Sequence, residues 1–164
     1  MHEESATMAN KAILPEQDSV VVEIEIAAPP ERVFQALTDA KQLEQWWRSP
    51  ICETTGWKMD ARPGGKWGFE TSPASQSING VNEYKCHGEI LDFMPGRYLV
   101  YTWIANWNDK PDSKTVVIWE LVAIPGGTRV KVTHSGLATQ PVVRDAYRGG
   151  WPGVVANLKQ FVEQ

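Results

Sequence analysis

Residues 20–47, VVVEIEIAAPPERVFQALTDAKQLEQWW, change their apolar spacing part-way, and that change decides the fold. From Val20 apolar and acidic residues come to alternate, with Val22, Ile24 and Ile26 on one face and Glu23 and Glu25 on the other. A period of two is that of a strand with one buried side. Pro29-Pro30 stops the strand, and a proline suits the first turn of a helix, where its missing N–H has no partner to lose. Val33, Phe34 and Leu37 then share one face of a short helix. Thr38 and Asp39 can cap a second helix that carries Leu43, Trp46 and Trp47. The spacing predicts a strand followed by two short helices joined almost without a loop.

Beyond these helices the chain reads as strand after strand, over residues 66–70, 84–93, 98–103, 115–123 and 129–134. Pro63-Gly64-Gly65, Pro95-Gly96 and Pro125-Gly126-Gly127 punctuate them. Alternation places Leu99, Tyr101 and Trp103 on one face, as it does Val117, Trp119 and Leu121, and Val130, Val132 and His134. Strands joined by short turns without intervening helices form an antiparallel meander. The last stretch returns to helical spacing through Val143, Tyr147, Trp151, Val154, Leu158 and Phe161. Gly149-Gly150 and Pro152-Gly153 interrupt it. The apolar stripe keeps its phase across them, which predicts a kink rather than a break, and a segment able to open as a gate.

A chain of 164 residues fits one domain and can bury roughly 70% of its unfolded surface. A net charge of −4 without any Lys/Arg cluster argues against nucleic acid or an anionic membrane as partner. No apolar run approaches the ~20 residues of a membrane span. The acidic start MHEESATMANKAILPEQ has no apolar core of the kind a secretory signal needs. Residues 1–18 read as a flexible tail, whose apolar patch Ala12-Ile13-Leu14 packs on the body, stays disordered or serves a partner, and residues 19–164 read as the domain. Two cysteines, Cys52 and Cys86, suit reduced thiols and a cytoplasmic location.

Eight tryptophans are spread over every element, and aromatic bodies each with one N–H suit the lining of a broad apolar interior. Core and rim packing explains any one of them equally well. Gly64-Gly65-Lys66-Trp67-Gly68 lacks the spacing of a phosphate loop and leads into a strand, so it reads as a tight turn. His134 and Ser135 are neighbours on a strand and face opposite sides, which excludes a dyad between them. His134 has inward parity, as a buried, hydrogen-bonded histidine or as a catalytic one. His87 and Glu89 share a strand face, and a carboxylate beside an imidazole can tune it for proton transfer; the same pair also suits a solvent face. With His2, His87 and His134 as the only histidines, no metal-ligand cluster is expected, and no cofactor.

The ordered set Ala28-Pro29-Pro30-Glu31-Arg32-Val33-Phe34, Trp46-Trp47, Arg62-Pro63-Gly64-Gly65-Lys66-Trp67, Gly88-Glu89-Ile90-Leu91, Leu99-Val100-Tyr101-Thr102-Trp103, Gly127-Thr128-Arg129-Val130, His134-Ser135-Gly136-Leu137 and Gly150-Trp151 resembles the family named after activators of the heat-shock-protein-90 ATPase. That family is part of the START-like superfamily of polyketide cyclases and lipid-transfer proteins. The resemblance covers about residues 19–164. It implies an α+β helix-grip fold, in which a curved antiparallel sheet of six or seven strands, two short helices and a long C-terminal helix enclose a cavity. Relatives use that cavity for lipids, polyketides or other apolar molecules, and some catalyse cyclisation or dehydration.

The first functional expectation is binding of a small apolar ligand, lined by Trp67, Phe69, Tyr101, Trp103, Trp119, His134, Tyr147 and Trp151. The second is a cyclase or dehydratase with His134, or the His87–Glu89 pair, as acid/base. In that case His134→Ala abolishes turnover and leaves the fold nearly intact. The third is a protein-interaction module, through a chaperone contact or a homodimer.

Overall fold

The computed structural model describes residues 14–164. Among the described residues four helices, α1 (Pro15–Asp18), α2 (Pro30–Thr38), α3 (Ala40–Trp46) and α4 (Pro141–Val162), accompany seven strands. These are β1 (Val20–Ile26), β2 (Thr54–Met59), β3 (Lys66–Thr71), β4 (Lys85–Met94), β5 (Tyr98–Ala105), β6 (Thr115–Ile124) and β7 (Gly127–Ser135). They form one curled antiparallel sheet in the order β1-β7-β6-β5-β4-β3-β2, the helix-grip architecture. The meander runs from β2 to β7, and β1 adds to its far edge with Val22 opposite Val132 and Ile24 opposite Val130. Apolar residues of β1 and β7 therefore stack on the inner face, where α4 covers them.

The first two helices form as their spacing predicts. Val33, Phe34, Ala36 and Leu37 of α2 are buried, and Asp39 caps α3 by accepting the Lys41 N–H at 3.0 Å. The Trp46 indole crosses to α2 and donates to the Ala36 carbonyl at 2.9 Å, so the two helices brace each other. Trp47 follows in extended conformation and leaves the helix.

Curvature has local causes. The β2–β3 pairing slips between Thr55 and Lys58, where Gly56 takes φ 62°, and the β4–β5 pairing slips between Ile90 and Asp92. An extra residue on one strand bends that strand and increases its twist. The Trp67 indole reaches over β4 to donate to the Thr102 carbonyl of β5 at 2.8 Å. Gly88 lies beneath it, and a Cβ there would come within 1.9 Å of that carbonyl. Only glycine permits that approach. Gly64-Gly65 is the expected tight turn, with the Gly64 N–H donating to Ile90 O and the Ile90 N–H to Gly65 O, both at 2.8 Å.

Three expectations change. β2 was not foreseen; its irregular sequence, Thr-Thr-Gly-Trp-Lys-Met, has no alternation to read. Helix α4 runs unbroken from Pro141 to Val162 through Pro152. Its fully buried stripe is Val143, Tyr147, Trp151, Val155, Leu158 and Val162, while Val154 and Phe161 are only half-buried, so the phase moves by one residue after the proline. Residues 1–13 of the expected tail, with Ala12 and Ile13, lie outside the described residues, and Leu14 is exposed. Residues 15–18 form α1, which is tied down. Arg144 Nη1 donates to Gln17 O at 2.6 Å, Arg148 Nη2 to Glu16 O at 2.5 Å, and the Leu137 N–H to Asp18 O at 2.8 Å. No helix among the described residues is long and apolar enough to cross a membrane.

Candidate functional site

The middle of α4 does not close fully onto the sheet. Between it, the 47–52 segment, the end of β3 and the 76–84 loop lies an open cleft of about 520 Å³. Such a volume is typical of small-molecule sites. Trp47 is at the centre of its aromatic wall, with ring centroids 5.3 Å from Trp57, 5.9 Å from Phe69, 6.2 Å from Trp103 and 5.7 Å from Trp151. Trp107, Tyr84 and Tyr147 continue the wall, and Ile51, Ile78 and Val154 complete its apolar part. The helical wall is bare. Ala146, Gly149, Gly150, Gly153 and Asn157 face the cleft, and a Cβ built on any of the three glycines meets nothing within 4 Å.

Helix α4 is positioned from its start by a residue of the β5–β6 loop. Asp109 accepts the Val142 N–H at 3.1 Å and the Val143 N–H at 2.9 Å, replacing the side-chain cap that Gln140 does not supply. Burial alone raises the Asp109 pKa, but these amides and Asn79 outweigh it and hold the carboxyl below its ordinary range. From the neighbouring residue, the Asn108 Oδ1 accepts the Tyr147 hydroxyl proton at 2.5 Å, and the Trp103 indole donates to the same hydroxyl at 2.8 Å. Tyr147 therefore borders the cleft with its oxygen already committed. Burial raises its pKa well above that of a free phenol.

Of the eight residues expected to bind ligand, Phe69, Trp103, Tyr147 and Trp151 line the cleft, and Trp67, Tyr101, Trp119 and His134 do not. Strand parity turned Tyr101, Trp103, Trp119 and His134 inward and the helical stripe did the same for Tyr147 and Trp151, but Trp67, Tyr101, Trp119 and His134 are packed in the core. Trp119 donates to the Tyr101 hydroxyl at 3.0 Å, beneath Trp151. His134 is fully buried, 4.4 Å from the Tyr147 ring centroid. Its Nδ1 accepts from the Trp151 indole at 3.2 Å. The Thr115 hydroxyl donates to Trp103 O at 2.8 Å, so at 2.7 Å from Nε2 it accepts the imidazole proton. Burial lowers the His134 pKa to about 3. Neutral, with both nitrogens engaged and away from the cleft, His134 is a structural group in this geometry. Its removal would leave the buried Trp151 indole without its acceptor and the Thr115 hydroxyl without its donor, so an intact fold in His134→Ala is no longer expected.

His87 is exposed on the outer face of β4, and Glu89, on the same face, pairs with Lys66 at 3.5 Å. Neither borders the cleft. Cys86 faces the opposite way, into the core. Among the described residues no cluster of three or more His, Cys, Asp or Glu could hold a metal ion. Cys52 does border the cleft. Burial, against weaker opposing hydrogen bonds to Thr71 and Ser49, raises its pKa, so the thiol stays protonated and a poor nucleophile.

Residues 27–163 match the family model described as activator of Hsp90 ATPase homolog 1-like protein. The chain belongs to that family. No curated protein matches it. Solved structures share the fold. Protein CV1439 of Chromobacterium violaceum is 23% identical at a TM-score of 0.76, over 90% of this chain and 99% of its own. Protein MLL2253 of Mesorhizobium loti is 26% identical at 0.69, over 88% and 96%. DynU16, a protein of the dynemicin biosynthetic locus, is 19% identical at 0.66, over 90% of this chain and 48% of its own. Membership of the Hsp90-ATPase-activator-like family accounts for the helix grip. Trp47, Arg48, Trp107, Tyr84 and the three α4 glycines line the cleft and were not among the sequence candidates for ligand binding. The helical spacing read Trp47 as part of the α3 face, whereas it is the extended residue that ends the helix.

Proposed function

We propose that this protein binds a small apolar, ring-containing molecule in the cleft between the sheet and α4. The observation that carries the reading is an aromatic-walled cleft of about 520 Å³ bordered, among the described residues, by no carboxylate and no imidazole. Turnover of the cyclase or dehydratase kind needs a general acid or base within reach of substrate. His134 is committed in the core and His87 with Glu89 faces outward, which favours binding over catalysis. The large exposed apolar residues are distributed over α1's cap, β1, β4, β6 and α4, at Leu14, Val21, Leu91, Met94, Val122 and Val142, and give a protein-interaction role less support. Both cysteines are free thiols, which fits a cytoplasmic protein.

Methyl 2-naphthoate, a neutral fused-ring probe, should change the intrinsic tryptophan emission saturably. At roughly 0.4 kcal/mol per non-hydrogen atom, Kd is on the order of 100 µM. Trp47→Ala should weaken it at least about 10-fold by removing the central ring of the wall. No saturable change with this probe or larger fused rings would sink the binding reading.

A further inference from the structure

Two features of the cleft's 47–52 side point to the chemistry of what it holds. Trp47 is only 7% exposed, and its indole N–H, like that of Trp107 on the same cleft, makes no hydrogen bond to a protein group among the described residues, whereas Trp46, Trp57, Trp67, Trp103, Trp119 and Trp151 each have a protein acceptor. That N–H is not sealed off, because among the described residues only Asn108 Nδ2 and Arg144 Nε are fully buried without a partner. The open space Trp47 borders is the cleft. Water can accept from this donor in the open cleft, and an occupant that displaces it without offering an acceptor leaves the donor unpaired at about 1–3 kcal/mol, which favours an occupant carrying one.

The next residue, Arg48, is the only charged residue bordering the cleft among the described residues. Its root is held in place: Nε donates to the Gln45 carbonyl at 3.0 Å, and its own carbonyl accepts from Asn157 Nδ2 of α4 at 2.8 Å. Its two terminal nitrogens bond to nothing, and Arg48 makes no ion pair among the described residues. The five ion pairs formed by other side chains all lie away from the cleft lining. In a chain of net charge −4, the cleft lining therefore includes one arginine, two of whose guanidinium nitrogens are without a protein partner among the described residues, and no carboxylate among those residues.

Resting on the reading of this cleft as a ligand site, we infer that its ligand is an aromatic or polycyclic acid. The ring system lies between the Trp47–Trp103–Trp151 wall and the bare glycine face of α4. Its anionic group meets Arg48 at the mouth, and a second oxygen accepts from the Trp47 N–H. A guanidinium matches the two oxygens of a carboxylate, and such charge-assisted bonds are stronger than neutral ones. Arg48 is exposed, so salt screens part of that gain.

The test compares 2-naphthoate with methyl 2-naphthoate by calorimetric titration on the wild type, Arg48→Met and Arg48→Glu. In low salt the wild type should bind the acid about 10-fold more tightly than the ester, and ~0.5 M salt should shrink the ratio. Arg48→Met should bring the ratio to about one, and Arg48→Glu should invert it. Equal affinity of the wild type for acid and ester would overturn the acidic-ligand inference and leave the apolar binding reading standing. An acid preference that survives in Arg48→Met would also overturn it, because the anion would then be held elsewhere. Binding of neither probe would overturn the inference together with the reading on which it rests.

Discussion

Gly150→Leu is expected to abolish measurable binding of methyl 2-naphthoate while raising the melting temperature. Gly149, Gly150 and Gly153 lie within one stretch of α4, and each glycine lowers local helix preference by about 1 kcal/mol relative to alanine. Nothing in the backbone calls for them. None has a positive φ, and a Cβ at each would enter open space. What the three supply is cleft volume, at the expense of helix stability. A leucine at residue 150 fills that volume with a side chain of good helix propensity, next to Trp47 and Trp151.

The stability gain should be about 0.7–1 kcal/mol, or roughly 2–4 °C in a domain of this size. The affinity loss should be at least about 10-fold, from 1–3 kcal/mol of overlap between probe and leucine. Gly150→Ala makes the control, with most of the stability gain and little loss of binding. A thermal melt and a calorimetric titration on the three proteins decide the matter. Unchanged affinity in a well-folded Gly150→Leu would place the ligand elsewhere, and a lowered melting temperature would show that the glycine has a backbone role after all.

The two ends of this argument were unequally readable in the amino-acid sequence. Alternation in Val20–Ile26, proline at the start of α2 and the i, i+3, i+4 spacing of Leu43, Trp46 and Trp47 are local signals, and each produced its element. The sheet followed because short turns leave antiparallel pairing as the only connection. Parity also put Tyr101, Trp119 and His134 inside, where they are. It could not distinguish a side chain under α4 from one beside it. That distinction depends on where the helix lies across the sheet, which is set by Asp109 capping its first turn and by the Trp103–Tyr147–Asn108 hydrogen bonds, contacts more than thirty residues apart. The α4 glycines were visible and were read as a kink and a gate. Read by face, Ala146, Gly150 and Gly153 step by 4 and 3 along the helix, a bare stripe beside the apolar one. The catalytic suggestion for His134 failed for another reason: inward parity is shared by a catalytic histidine and a core one, and only the partners of both ring nitrogens separate them.

Those partners predict a strong pH dependence of stability. The ordinary histidine pKa is 6.5, and burial lowers that of His134 to about 3 in the folded protein. Between these values the unfolded chain takes up a proton that the folded chain refuses. Stability is therefore full above pH 6.5 and falls as pH is lowered towards 3, by up to about 1.4 kcal/mol per pH unit. From pH 7 to pH 5 the loss through this one residue should be about 2 kcal/mol. Carboxyls with lowered pKa, Asp109 and Glu163 among them, also lose their contribution as pH falls, but they act in any variant that keeps them. His134→Gln keeps an amide able to donate towards Thr115 and removes the titration. It should be less stable at pH 7, by about 1–3 kcal/mol for the acceptor that Trp151 loses. Its further loss between pH 7 and pH 5 should be smaller than that of the wild type by about 2 kcal/mol. Urea unfolding of both proteins at the two pH values measures the difference. Equal pH dependence would mean that His134 titrates near its ordinary value in the folded protein, in a looser setting, and would return it to candidacy as a proton-transfer group. The expected result leaves it neutral at every pH where the protein is folded and working, able to orient Trp151 at the cleft wall and unable to act as a base.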